Sequence, residues 1–307
     1  MEKEITRDVD LLEEQIILLN MHSFLNIINI LHSEILQLRD HLDSNTAFDD
    51  CLQVIGNIRK SLGGDSPALI TSHQMQEFHV FVEQEIEKEL ELIRHTDIKS
   101  KEIYSSVDNI RSLFRIIHIR VRELLARYDQ PETWATHDLS QIEKSITTFL
   151  SAIAKNSKGS YDIVYDLRDK RKGDYLVTLD LSSVDNEKIV MPYVLADCFR
   201  DLIANARKYT PPGGKIVSRL SDNGRHITIQ VSDNGAGIPE DEIEKVVDFG
   251  YRASNVLERK TMGGGFGLSK AYFVTRSLGG RMWIESEVNS GTTITMQIPR
   301  NNSQRNS

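Results

Sequence analysis

The residues Ile103, Val107, Ile110, Phe114, Ile117, Val121 and Leu124 recur at alternating intervals of four and three. That spacing is the seam of packed, slightly supercoiled helices, and it sets the class of the first part of the chain. The stretch from Glu4 to Leu42 has neither glycine nor proline. Its apolar residues, among them Ile16, Ile17, Leu18, Leu19, Phe24, Ile27, Ile28 and Leu31, fall on more than one face, which predicts a helix buried on more than one side. Gly63, Gly64 and Pro67 end a shorter helix, and a third carries Met75, Phe78, Val82, Ile86, Leu90 and Ile93 on one stripe.

The pattern changes near Tyr128, Pro131 and Glu132. Beyond it the sequence predicts a helix over 137–154 and strands over 161–165 and 175–179. A helix over 192–209 follows, with Pro192 tolerated in its first turn. Strands over 215–220 and 226–231 flank Asp222-Asn223-Gly224, a hairpin turn signal. A last strand pair is expected over 282–285 and 292–298. Strands grouped as hairpins with helices between them predict an α+β two-layer sandwich, helices on one sheet face. The expected division is therefore an all-α bundle over 1–130, the sandwich over 131–300 and a disordered polar tail over 301–307.

The net charge of -8 argues against a general nucleic-acid binder. No apolar run approaches the roughly 20 residues of a membrane span, and the start lacks the apolar core of a secretory signal. Cys51 and Cys198 are far apart and read as free thiols, so a reducing, cytoplasmic setting is expected.

Three short stretches carry chemistry. Asp233 follows a strand pattern and precedes Gly235 and Gly237, so its carboxylate can accept from the amino group of an adenine while bare backbone approaches the base. Alone, Asp-Asn-Gly is also a favoured turn. Asp201 and Asn205 lie four apart on one helix face, with Lys208 a turn further on. Asn205 offers a carbonyl oxygen to Mg²⁺, and Lys208 can meet phosphate charge. Gly263, Gly264, Gly265 and Gly267 precede an apolar helix over 268–278, where free amides suit phosphate oxygens. The charged stretch 240–262 between them reads as a lid, in which Arg252 and Lys260 can reach phosphates.

With Gly291, Thr292 and Thr293 after the next strand, this set resembles the GHKL ATPase superfamily, and within it the catalytic domain of bacterial sensor histidine kinases. Leu202-Ile203-Ala204-Asn205-Ala206-Arg207-Lys208-Tyr209 is very similar to that family's asparagine box, and the resemblance covers roughly residues 137–299. It implies ATP and Mg²⁺ as cofactors. By that likeness Asn205 holds the metal, Asp233 reads adenine, Tyr209 lines the base and Thr292 supports Asp233. Gly235, Gly237, Gly263, Gly265 and Gly267 would shape the pocket. Two positions depart from the family pattern. Asp201 stands where these kinases carry Asn, and could act as a second metal-side oxygen or a base. The phenylalanine box has one Phe, Phe249, displaced by a position.

The same resemblance implies a phosphorylated histidine on a dimeric helical hairpin. His22 shares a polar row with Asn26, Asn29, Ser33 and Gln37, and His22-Ser23-Phe24-Leu25-Asn26 is similar to the phosphoacceptor box. Asn26 matches the box, where it would position water for dephosphorylating a partner. Ser23 replaces the acid that orients the imidazole. The implied reaction is phosphoryl transfer from Mg-ATP to His22 and then to an Asp of a response-regulator receiver domain. A homodimer is expected from excess apolar surface on the first and fourth helices. The signal would come from a separate sensor protein, or from a longer protein of which this chain is a piece. The alternatives are a phosphatase-biased or kinase-deficient ATP-binding regulator, favoured by Ser23, and a GHKL Ser/Thr kinase or plain ATPase, favoured by Asp201.

Overall fold

The computed structural model describes residues 2–62, 72–93, 100–129, 134–155, 157, 159–257 and 265–300. The side chains at 13, 17, 18, 20, 22, 23, 100, 119 and 122–129 lie outside that description. The chain divides into two compact units. One is Asn20–Tyr128, and the other joins Met1–Leu19 to Asp129–Ser307.

The first of these is helical: α1 (Glu13–His41, from Asn20 onward), α2 (Asp49–Leu62), α3 (Ser72–Ile93) and α4 (Ser100–Asp129). The stripe of α3 is buried at Met75, Phe78, Val82 and Ile86, and the seam of α4 is buried from Ile103 to Val121. Ile28, Leu31 and Ile35 of α1 and Ile110, Phe114 and Ile117 of α4 are all 0% exposed within the single chain. Those positions are thus already buried within a single chain. Polar contacts sit at the rim of this core. Arg111 grips Glu83 with two nitrogens, and His79 Nδ1 lies 3.0 Å from His118 Nε2.

The other unit is a mixed sheet under a helical layer. In chain order its strands are β1 (Glu2–Glu4), β2 (Trp134–Asp138), β3 (Ile163–Val164), β4 (Tyr175–Ser183), β5 (Lys188–Pro192), β6 (Lys215–Asp222), β7 (His226–Asp233), β8 (Arg281–Glu287) and β9 (Gly291–Pro299). Seven of them form one sheet in the order β1-β8-β9-β7-β6-β4-β3, and β2 pairs with β5 in a separate ribbon. The helices α5 (Leu139–Lys155), α6 (Tyr193–Tyr209) and α7 (Phe266–Ser277) pack on the large sheet. Alternation drives this arrangement: Ile216, Leu220, Ile227, Ile229, Met282, Ile284, Met296 and Ile298 are all 0% exposed and meet Leu195, Phe199 and Leu202 in one core.

Three sequence expectations change here. The helix expected from 137 begins at Leu139, because His137 is held in β2 opposite Ile189. The helix expected from Glu4 begins at Glu13, because Glu2–Glu4 is a strand that pairs antiparallel with β8. The domain boundary therefore has a second part: the first nineteen residues cluster with the sandwich rather than with the bundle.

The N-terminal segment is tied down by more than its ladder. Ile5 is 2% exposed in the sandwich core, and the Tyr272 hydroxyl donates to the Arg7 carbonyl at 2.6 Å. Glu4 pairs with Arg281, Lys3 with Glu244 at 3.0 Å and Arg7 with Asp248 at 2.7 Å. The strand covers what would otherwise be an open sheet edge. Ile5→Ala is expected to destabilise this unit by about 2–4 kcal/mol, the cost of a buried isoleucine truncation. Denaturant unfolding followed by Trp283 fluorescence would show it, and an unchanged midpoint would mean the segment contributes nothing to the core.

Candidate functional site

Asp233 ends β7 directly opposite Thr292 of β9. Its Oδ1 accepts the Gly235 N–H at 2.8 Å. Burial pushes its carboxyl up to about 6 from the ordinary 3.8, while hydrogen bonds with the Gly235 and Thr292 amides and the Thr210 hydroxyl offset part of that rise. A half-buried carboxylate with only part of its acceptor capacity used is suited to a ligand N–H.

The loop after Asp233 is drawn in on both sides. Ala236 N–H donates to the Tyr209 carbonyl at 3.1 Å, and Ile238 N–H donates to the Ser286 hydroxyl at 2.8 Å. Asn255 Nδ2 donates to the carbonyls of Ala236 and Gly237. Gly237 has φ +66°, and a Cβ there would lie 1.9 Å from the Glu287 carbonyl oxygen, so only glycine fits. Tyr209 is half-buried against the core, with the Lys208 ammonium 5.1 Å from its ring centre.

Asn205, on the middle of α6, faces α7. A Cβ at Gly267 would lie 2.4 Å from Asn205 Nδ2, so the missing side chain at Gly267 is the space the amide occupies. The helix α7 begins at Phe266 behind Gly265, whose φ is +78° and which, as glycine, has no side chain to cap the first turn. Uncapped amides at a helix start carry partial positive charge and suit an anion. Lys208, pushed down to about 8 by burial and then by the charges of Arg252 and Arg207, belongs to the same cationic region. Cations that repel one another in this way are relieved by a bound polyanion.

The site therefore fits a nucleotide and its metal ion on its own geometry. It has a half-buried carboxylate acceptor for a base, an amide lodged against a glycine, a helix start behind a glycine, and cations gathered nearby. Among the described residues no group of three or more His, Cys, Asp or Glu is placed to hold a metal ion. A magnesium ion would then rest on the Asn205 oxygen together with ligand oxygens and water.

Asp201 has a buried partner of its own. Its Oδ2 lies 2.7 Å from Lys270 Nζ, so the carboxylate expected as a metal-side oxygen or base is salt-bridged to a buried lysine. The stretch expected as a lid is described up to residue 257. Residues 240–257 form short 3₁₀ turns with Val246, Val247 and Val256 buried, and Glu242 accepts the Ser254 N–H at 2.8 Å. Phe249, the displaced phenylalanine, packs on Phe266 with ring centres 4.7 Å apart. Arg252 donates to the Val256 carbonyl at 3.0 Å.

Lys260 and Gly263 lie outside the described residues. His22 falls on α1, with its side chain outside the description, and Asn26 is half-buried on the same helix. Residues that the sequence did not single out are Ser286, Asn255 and Lys270. Each acts through a partner remote in sequence, so no local pattern marks it.

Residues 192–302 match the family model described as histidine kinase-, DNA gyrase B-, and HSP90-like ATPase. Sensor histidine kinase WalK of Bacillus subtilis is 28% identical over 177 residues, 57% of this chain and 27% of that protein. Signal transduction histidine-protein kinase ArlS of Staphylococcus aureus is 34% identical over 121 residues, 39% of this chain and 27% of that protein. The chain thus spans about a quarter of the length of these relatives. A solved catalytic domain of histidine kinase ThkA aligns with a TM-score of 0.40 and 20% identity, covering 56% of this chain and 99% of that one. Among the described residues no helix is long and apolar enough to cross a membrane.

Proposed function

We propose that this chain, whose residues 192–302 carry the histidine kinase-, DNA gyrase B-, and HSP90-like ATPase domain, is an ATP-dependent protein histidine kinase that phosphorylates itself on His22. The observations that carry the nucleotide reading are the Gly235 N–H on Asp233 and the Asn205 amide set in the space beside Gly267.

Bound Mg-ATP would supply the transferable phosphoryl group. The residues of this chain do the rest. Asp233 accepts from the base amine and sets its orientation. Asn205 gives its amide oxygen to the metal. Lys208, Arg252 and the start of α7 balance phosphate charge. Catalysis of this kind is mostly positioning and charge neutralisation. The phosphoryl group on His22 would then pass to an Asp of a response-regulator receiver domain, with Asn26 orienting water in the reverse, dephosphorylating direction.

Ser23 favours one second reading. Without the acid that normally orients the imidazole, the ATP site could regulate a partner while transferring little phosphate. The salt bridge of Asp201 with Lys270 weighs against a Ser/Thr kinase or plain ATPase, the reading that Asp201 supported.

The test uses γ-labelled ATP and Mg²⁺. Wild type should acquire acid-labile, base-stable label, and His22→Ala should lose at least about 99% of it, as expected when the sole nucleophile is removed. Label that persists in His22→Ala would sink His22 as the acceptor. Absence of label, with nucleotide binding that Asn205→Ala abolishes, would support the regulatory reading.

A further inference from the structure

Four buried charges lie between α6 and α7. On α6, Asp197 and Asp201 are one turn apart with Arg200 between them, and α7 contributes Lys270. Lys270 Nζ is 3.0 Å from Asp197 Oδ2 and 2.7 Å from Asp201 Oδ2, and Arg200 Nη2 is 2.6 Å from Asp197 Oδ1. The side chains of Lys270, Asp197 and Arg200 are 1%, 0% and 4% exposed. Two acids and two bases make a set with no net charge. A buried ion pair is weak evidence for stability, since apolar residues of similar volume would hold two helices together as well. Its presence here calls for a reason connected with position.

The position is specific. Asp201 lies one turn before Asn205 on α6, and Lys270 lies one turn after Gly267 on α7. The Lys270–Asp201 bond is therefore a rung between the same two helices, next to the rung formed by Asn205 and Gly267. An apolar contact tolerates sliding. A 2.7 Å ion pair does not, and a slip of one residue along a helix is about 1.5 Å. The same bond directs the Asp201 carboxylate to Lys270, where it cannot compete with Asn205 for a cation.

We propose that Lys270 is a positioning residue for the metal-nucleotide site. It fixes α7 against α6, so that the Asn205 amide meets the metal, and it holds the Asp201 carboxylate away from that metal. This rests on the reading of the pocket as a Mg-nucleotide site. Lys270 itself touches neither nucleotide nor metal.

The experiment is a titration of a fluorescent ATP analogue against the full chain, in Mg²⁺ and in EDTA, with melting measured for each variant. Lys270→Met should weaken binding in Mg²⁺ by about 10–100-fold, the usual effect of removing the partner that orients a metal ligand. Binding in EDTA should change by less than about threefold, because Asp233 is untouched. The double variant D201N/K270M removes both charges together, and should return the Mg²⁺ affinity to within about threefold of wild type. Equal losses in Mg²⁺ and EDTA would overturn the proposal. So would a folded double variant that binds no better than Lys270→Met. If Lys270→Met alone does not fold, the double variant decides. Asn205→Ala separates the two levels. If it leaves Mg²⁺ affinity intact, the pocket reading fails and the proposal with it; if it abolishes that affinity while Lys270→Met does not, only the proposal fails.

Discussion

Gly267→Ala is expected to cost this protein its grip on Mg-nucleotide while leaving the fold as stable as before. The two effects separate because of what a methyl group would meet. The added Cβ would lie 2.4 Å from Asn205 Nδ2, the far end of a side chain that can swing away. Gly267 is buried in the first turn of α7 at an ordinary helical position, where alanine is favoured over glycine by up to about 1 kcal/mol. Stability should then be unchanged or slightly raised. Asn205, once displaced, no longer offers its oxygen to the metal, and nucleotide affinity in Mg²⁺ should fall by about 10–100-fold. Gly237→Ala is the contrast. There φ is +66° and the obstacle is the Glu287 backbone 1.9 Å away, so the fold itself should lose more than about 1 kcal/mol. Melting curves and nucleotide titrations on the two variants check this. A Gly267→Ala protein that melts early and binds in proportion to its folded fraction would show that the glycine serves packing alone.

What the sequence could and could not convey follows from where each residue's partner lies. Helical burial was readable, because spacing alone puts Met75, Phe78, Val82 and Ile86 on one face, and all four are buried. The hairpin about Asn223 and Gly224 was readable, because the turn chemistry is local. Order and spacing also grouped Asn205 with the glycines, and the structure sets Asn205 against Gly267. The strand Glu2–Glu4 was not readable. Glu-Lys-Glu has no strand character of its own and becomes one only by pairing with β8, some 280 positions away. The short ribbon of β2 and β5 was hidden for the same reason, and His137 was taken for helix. The partner of Asp201 was hidden as well, because it is 69 residues distant. A lysine inside an apolar helix reads as a solvated side chain until its partners are known.

Asp233→Asn should weaken adenine-nucleotide binding by roughly 10–150-fold, the loss of one hydrogen bond to a charged acceptor in a buried place. Its pH behaviour distinguishes this from a general disturbance. Burial holds the Asp233 carboxyl at about 6 in the folded protein against an ordinary 3.8. The fold therefore binds this proton more tightly than the unfolded chain does. Its contribution to stability is complete below the unfolded value and is lost as pH rises through about 6. At pH 7 the ligand-free Asp233→Asn protein should accordingly be more stable than wild type, by up to roughly 3 kcal/mol. Binding runs the other way, since the base amine needs the ionised acceptor. Wild-type affinity should fall about tenfold per pH unit below about 6. On the alkaline side Lys208, held at about 8 by burial and by Arg252 and Arg207, loses its charge and the phosphates lose a partner. The free protein should thus bind best between about 6 and 8. Asp233→Asn should flatten the acid limb alone, and Lys208→Met the alkaline limb alone. An acid limb that survives in Asp233→Asn would assign that proton elsewhere and remove Asp233 as the residue that reads the base.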